Sequence, residues 1–467
     1  MNRSWLPLVR LELKLFAAQR VTLGALLVLA LALPSSLAWQ NAQLLKQQSM
    51  VQAAAQRGLS AWHGQALKNA HLAAHFGSWA FRPASALQGL DPGLTHHVGV
   101  ATFLEAHKRN MPTLAAVDTG QLDGSAPQLS PALLAKTVFP LLMLVMGLAL
   151  GRREASRFDL DPLRVAGASA RGVLVVQATL LMGLAVAVLF PLAAYAAVEV
   201  GPGLPLLLWL LACAGLQVSF AWTGLAMGRW AGARRGALLA GLLFWAAVAL
   251  VLPRCSMTLA QVVEPTSRLA QNSSLKQALA KEVDGHGKSA ANAAFRAGLL
   301  ARYGVATEAE LPVNADALLM QADELVRSRV FATEVALLRT AFDRQDRLIA
   351  LLGLASPLMA YERLSMALTQ TDRHALQDHD GRVEVYRQEM ISRLNDDMAH
   401  NTRTGDWKTA VQRELFTSLP PLPGVVAADG AVWLRMKAAW FGQLAWLVIP
   451  ALSLLLLART ASSRGRL

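Results

Sequence analysis

The sequence predicts an all-α polytopic membrane protein: six transmembrane helices with two largely helical insertions outside the membrane. Three observations carry that class. Of 467 residues, 54% are hydrophobic and 16% charged, where soluble domains carry about 25% charged residues. With a mean hydropathy of +0.36, the chain lacks the polar material to cover a water-facing surface of its size. Six apolar runs reach the about 18 residues that let a helix cross a ~30 Å hydrocarbon core at ~1.5 Å per residue. Finally, the positive charge is concentrated in the short segments between those runs.

Residues 1–20 alternate Leu6, Leu8, Val9, Leu11, Leu13, Leu15 and Phe16 with Arg3, Arg10, Glu12, Lys14 and Arg20. That pattern fits a helix lying at the inner membrane surface. The first span is expected at 21–39, followed by a first outside region at 40–130. Span two covers 131–150, with Lys136 near its outer end where its stem can snorkel. An inside segment, 151–171, precedes spans three to five at 172–198, 203–228 and 235–253. A second outside region occupies 254–437, span six 438–458, and a tail 459–467.

Orientation follows from Lys and Arg in the short loops. The segments assigned to the inside hold fifteen basic residues against the four acids Glu12, Glu154, Asp159 and Asp161, and so carry most of the net charge of +13. The basic balance is therefore a topology signal and not a nucleic-acid footprint. Both termini are expected in the cytoplasm of a bacterial cell, with the long regions facing outward from the inner membrane. The basic start and Ser36-Leu37-Ala38 also resemble a cleavable signal peptide, which would leave the later topology unchanged.

Residues 40–75 contain no Pro and are rich in Ala, Gln, Leu and Lys, predicting a helix that continues outward from span one. Phe81-Arg82-Pro83, Asp91-Pro92-Gly93 and 118–127 read as turns and loops. The second region is helical in character over 275–303, 315–350 and 381–399 and shows little strand patterning. The apolar run 348–360, broken by Pro357, is too short to span. It reads foremost as a buried core helix, and otherwise as a segment at the membrane surface or facing a translocation path.

Catalytic motifs are scarce. Gly287-Lys288-Ser289 has the ending of a phosphate-binding loop, but Glu282 stands where that loop requires glycine. The two cysteines have no metal or redox spacing, and no GxSxG or HExxH occurs. No enzymatic activity of the chain's own is expected. All ten histidines fall in the outside regions. His71 and His75 share a helix face, the minimum for two metal ligands, but without a third ligand at defined spacing a solvated face is the favoured reading. His374, Asp378, His379 and Asp380 form a richer group with no defined spacing. Asn395, Asp396, Asp397, His400 and Asn401 could be acid/base machinery or a cation site, and equally a capped helix end; the structural reading is favoured. The interiors of the six spans carry no Asp, Glu or His, which disfavours a proton- or ion-coupled carrier. Energy for transport would then come from a separate ATPase.

The arrangement resembles the membrane subunit of ABC-2-type (type V) ABC transporters, specifically permeases of the DUF3526 domain-containing family. The first outside region contributes 74–77 (AHFG), 80–83 (AFRP), 90–93 (LDPG) and 104–110 (LEAHKRN). The second contributes 302–305 (RYGV), 311–314 (LPVN), 356–358 (SPL), 364–368 (LSMAL) and the Asn395–Asn401 cluster. The resemblance implies that the inside segment docks on the ATPase. In place of the family's Glu-Arg-Glu-x-Gly-Thr-Leu-like sequence this chain has 151–157 (GRREASR); Glu154, Leu163, Gly167 and Ser169 fit, and Asp159 and Arg164 lie in the same segment. It further implies no directly bound cofactor, ATP and Mg held by partner ATPase subunits, a second permease copy or sister permease, and export as the default direction. An envelope partner for the outside regions is a further expectation, and no nucleic acid is expected. The rival reading is a membrane-anchored sensor or mechanical transmission protein that binds an outside partner and passes no substrate.

Overall fold

The structure is a computed structural model that describes residues 5–113, 129–156, 170–231, 236–266, 290–411, 413–418 and 430–464. Six helical stretches among them are long and apolar enough to cross a membrane: Arg20–Gly64, Pro131–Arg152, Arg171–Glu199, Leu204–Ala231, Ala237–Val263 and Met436–Leu457. The fold is predominantly helical, with one small sheet.

α1 (Trp5–Ala17) buries Leu8 against Val173 and Val176. It joins α2 (Arg20–Gly64), whose 45 residues would extend about 68 Å at the α-helical rise. That is more than twice a hydrocarbon core, so α2 carries both the first apolar run and a stalk beyond it. Pro34 sits inside the helix without ending it, and Ser36 and Leu37 are buried mid-helix. The stalk stops at Gly64, short of the expected 75. A break at 65–69 follows, and Asn69 caps α3 (Ala70–Phe76) by accepting from the Leu72 amide.

The first inter-span region also contains a sheet that the sequence reading did not anticipate; among the described residues of the expected turns, only Phe81 lies in a strand. β1 (Ser78–Phe81), β2 (Ala101–Glu105) and β3 (Lys108–Arg109) form an antiparallel β1-β2-β3 order, pairing Ser78 with Leu104 and Glu105 with Lys108. Gly77 makes the entry possible: its φ of +67° is left-handed, and a Cβ there would meet Leu104 O at 2.6 Å.

Ser130 caps α4 (Pro131–Lys136), which leads into α5 (Val138–Ser156). α6 (Ala170–Glu199) and α7 (Leu204–Ala231) follow, then α8 (Ala237–Ala246), a π-helical turn at Ala247–Val251 and α9 (Leu252–Val263). The second inter-span region holds α10 (Ala290–Tyr303), α11 (Ala315–Gly353), α12 (Pro357–Leu368), α13 (Arg373–Asn401) and α14 (Arg413–Thr417), and α15 (Gly430–Arg464) closes the chain.

Two cores result. One joins the membrane-length helices, with Leu33, Phe139, Leu181, Trp209, Leu216 and Phe220 at or near zero exposure. The other joins the two inter-span regions: Trp62 at the end of the stalk meets Phe416 edge to face at 5.3 Å, beside Ala73, Leu104, Met390 and Leu394. The run 348–360 is not one continuous helix. It is the end of α11, a turn, and the start of α12, where Ser356 caps the new helix on the Met359 amide.

Candidate functional site

Three places carry chemistry or close packing. The first is the crossing of α5 and α7. Gly147 and Gly151 on α5 face Gly224 and Gly228 on α7, each pair four residues apart. A Cβ on Gly147 would lie 2.0 Å from Ala221 O, and one on Gly224 2.2 Å from Leu144 O. Small residues at four-residue spacing let helix backbones touch where apolar surroundings supply little drive for association. Glu154 lies in the last turn of α5. Asp159, Leu163, Arg164, Gly167 and Ser169 lie outside the described residues, as does Gly287-Lys288-Ser289. Beside this end, buried Glu12 of α1 accepts from Gln177 Nε2 at 3.2 Å, and Arg229 donates to Gln177 Oε1 at 3.2 Å.

The second place is the seat of α12 on the bundle. Trp209 Nε1 of α7 donates to Ser365 Oγ at 2.8 Å, and Ser365 Oγ donates to the Asp91 carboxylate. Lys136 of α4 pairs with Glu362 of α12 at 2.5 Å. Burial raises the Asp91 pKa; the Ser365 hydrogen bond and the Lys136 charge offset only part of that rise. Asp91 comes from the first inter-span region, Ser365 from the second and Trp209 from a membrane-length helix, so one buried polar node ties all three.

The third place is a histidine cluster. His71 and His75 occupy successive turns of α3, and the tight turn between β2 and β3 brings His107 beside them. The ring centroids stand 4.6 Å (His71–His75), 5.6 Å (His71–His107) and 5.3 Å (His75–His107) apart. One nitrogen from each ring lies within 4.8 Å of the others. Burial, then the positive potential of His75 and His107, lower the pKa of His71; burial and His107 likewise lower that of His75. Glu324 of α11 accepts from the His107 amide at 3.0 Å, and the same oxygen lies 3.1 Å from His107 Nδ1. Arg387 of α13, buried to 1% exposure, donates to Glu324 at 2.6 Å, to Glu384 at 2.8 Å and to Glu105 O at 3.1 Å. Burial would raise the Glu324 pKa, but His107 and Arg387 outweigh it and lower it to about 2. The favoured solvated-face reading of His71 and His75 thus meets a third imidazole and a buried carboxylate. The missed partner sat within the LEAHKRN stretch, though the turn that presents it had no strand signal.

The Asn395–Asn401 group ends α13. Asn395 is buried and donates to Gln321 Oε1 at 2.8 Å, His400 Nδ1 lies 2.9 Å from Asp396 O, and Asn401 donates to Asp397 Oδ1 at 2.9 Å. Next to it the Asn314 amide donates to Ala399 O at 2.8 Å, tying the helix end to the start of α11. The structure brings His374 to Asp343 and Asp346, but Arg373 pairs with both carboxylates. His379 is buried in α13 and not part of that group.

No curated protein and no solved structure matches the chain. Residues 272–421 match the family model described as Domain of unknown function (DUF3526). The chain therefore carries a DUF3526 domain, lying between its fifth and sixth membrane-length helices.

Proposed function

We propose that the chain is the permease subunit of an ATP-driven ABC-2-type exporter of the bacterial inner membrane, with both termini cytoplasmic and both inter-span regions outside. ATP binding and hydrolysis belong to separate ATPase subunits, which hold the nucleotide and Mg, and a second copy or sister permease completes the pathway. The observation that carries this reading is the path of α5. Its glycines pack it against α7, and Glu154 of the segment expected to dock the ATPase belongs to its last turn. Because Gly151 lies one turn before Glu154, a load on the docking segment would pass directly through the α5–α7 contact into the bundle. The span interiors free of Asp, Glu and His agree with an external energy source, and the DUF3526 match agrees with the family resemblance.

The test is co-purification with candidate ATPase subunits, wild type against Glu154→Arg combined with Arg164→Glu. The reading expects a stable complex whose ATPase activity is uncoupled or lost in the charge-swapped protein. If no ATPase subunit binds in lipid nanodiscs, the permease reading falls and the sensor or transmission reading replaces it.

A further inference from the structure

We propose that His71, His75 and His107 form a binding site for a single divalent ion of the imidazole-preferring class, typified by Zn2+. The proposal is independent of the transport reading, because it concerns the inter-span regions alone and its test needs no ATPase.

Three features of the arrangement support it. The first is convergence: two ligands four apart on α3 and a third from the β2–β3 turn place one nitrogen of each ring within 4.8 Å of the others. Tetrahedral Zn–N bonds of ~2.0–2.1 Å need ligand atoms about 3.4 Å apart, so modest rotation of the rings closes the site. His75 is exposed and leaves a side open to water as a further ligand. The second is backbone conformation. His107 holds a φ of +65°, a region that non-glycine residues rarely adopt and that persists where the surroundings impose it. The two-residue turn between β2 and β3 calls for it, and the Glu324 carboxylate holds the turn by accepting the His107 amide at 3.0 Å. The third is outer support. Glu324 lies 3.1 Å from His107 Nδ1 with its side chain 4% exposed, so that Nε2 would be the atom to take an ion. A carboxylate behind a ligating imidazole is the usual device for fixing its tautomer and orientation. The Asp343, Asp346 and His374 group lacks this availability, since Arg373 occupies both carboxylates. A bound ion would clip α3 to the hairpin and, through Glu324, to α11.

The experiment uses tag-free, full-length protein in detergent, stripped by chelator and titrated with Zn2+ and separately with Co2+. One ion per chain should bind with a dissociation constant of about 1 µM or tighter, raise the melting temperature by a few degrees, and give Co2+ a visible spectrum of low coordination number. His71→Ala, His75→Ala and His107→Asn should each weaken binding at least about tenfold, and Glu324→Gln by about 10–100-fold. Asn keeps the left-handed turn at 107. His374→Ala should change nothing. Glu324→Gln also disturbs the Arg387 network, so the histidine variants decide, provided their metal-free melting temperatures match wild type. The proposal is overturned if no stoichiometric binding occurs, if His71→Ala combined with His75→Ala binds as wild type does, or if His374→Ala is the variant that abolishes binding.

Discussion

At the scale of single residues, buried charges decide most. Arg387 neutralises Glu324 and Glu384 at 1% exposure. Arg387→Met would fill much of the volume but leave two carboxylates without their cation, and breaking a buried pair this way costs about 3–5 kcal/mol. Thermal unfolding of the variant should show that loss; a change under about 1 kcal/mol would mean the network is solvated. Two histidines give a pH dependence. Burial, followed by neighbouring cations, lowers His96 and His379 to about 4; Arg82 acts on both, with His97 beside the first and Arg382 beside the second. Their folded pKa lies below the unfolded value of about 6.5. The stabilisation is therefore complete above pH ~6.5, declines as pH falls toward about 4, and is flat below. Discounted for the partial exposure of His96 and the slight exposure of His379, about 1 kcal/mol each is the expected size. His379→Gln should flatten the melting-temperature profile between pH 6.5 and 4.5, and an unchanged profile would refute the assignment. The residues of these networks were visible in the sequence, but their partners were not. His71 and His75 announce a shared face through their spacing, whereas His107, Glu324 and Arg387 meet only through a turn and two long helices whose relative register no local pattern encodes.

At the scale of elements, the apolar runs were legible because a membrane-length helix needs only composition and length. The sheet was not, since its strands span four, five and two residues and their alternation is lost among the flanking turns. The end of the stalk was also hidden: Ala, Gln and Leu favour helix through 65–69, and packing of Trp62 on Phe416 with the Asn69 cap sets the break instead. One readable signal went unused, the paired glycines 147/151 and 224/228. Their role predicts a sharp contrast. Gly224→Ala would drive a Cβ to 2.2 Å from Leu144 O, so α5 and α7 must separate. Overpacking of this kind costs about 1–3 kcal/mol or more. Gly183→Ala, in the middle of α6 with nothing within 4 Å of its Cβ, should be neutral or stabilising by up to about 1 kcal/mol. Melting both variants in the same detergent checks the pair; equal behaviour would show that the crossing is looser than its geometry. Under the permease reading Gly224→Ala should also lower ATPase coupling, because the contact that passes load from the Glu154 end of α5 to α7 would loosen.

At the scale of the whole molecule, the node of Asp91, Ser365 and Trp209 determines whether the inter-span regions move with the bundle or apart from it. Ser365 is fully buried; it accepts from Trp209 Nε1 at 2.8 Å and donates to Asp91. Ser365→Ala removes a single oxygen, yet leaves an indole N–H without its acceptor and Asp91 Oδ2 without its hydroxyl donor, the Gly93 amide still serving Oδ1. Each orphaned group costs about 1–3 kcal/mol, and the Lys136–Glu362 pair, about a third exposed on each side, cannot compensate for that loss. The damage should stay local, because the α5–α7 crossing and the Trp62–Phe416 core share none of these atoms. Hydrogen exchange therefore should rise in peptides covering 87–95 and 357–368, while amides of 140–150 and 215–228 keep their protection. Trp209→Phe, which removes the donor and keeps the ring near Tyr361, should give a weaker form of the same pattern. Uniform loss of protection would mean that the node supports the entire fold, and no change would mean that water replaces the missing oxygen. A local response would place a hinge between the inter-span regions and the bundle at α12; under the permease reading, this is the element through which a substrate or envelope partner bound outside would be felt by the spans.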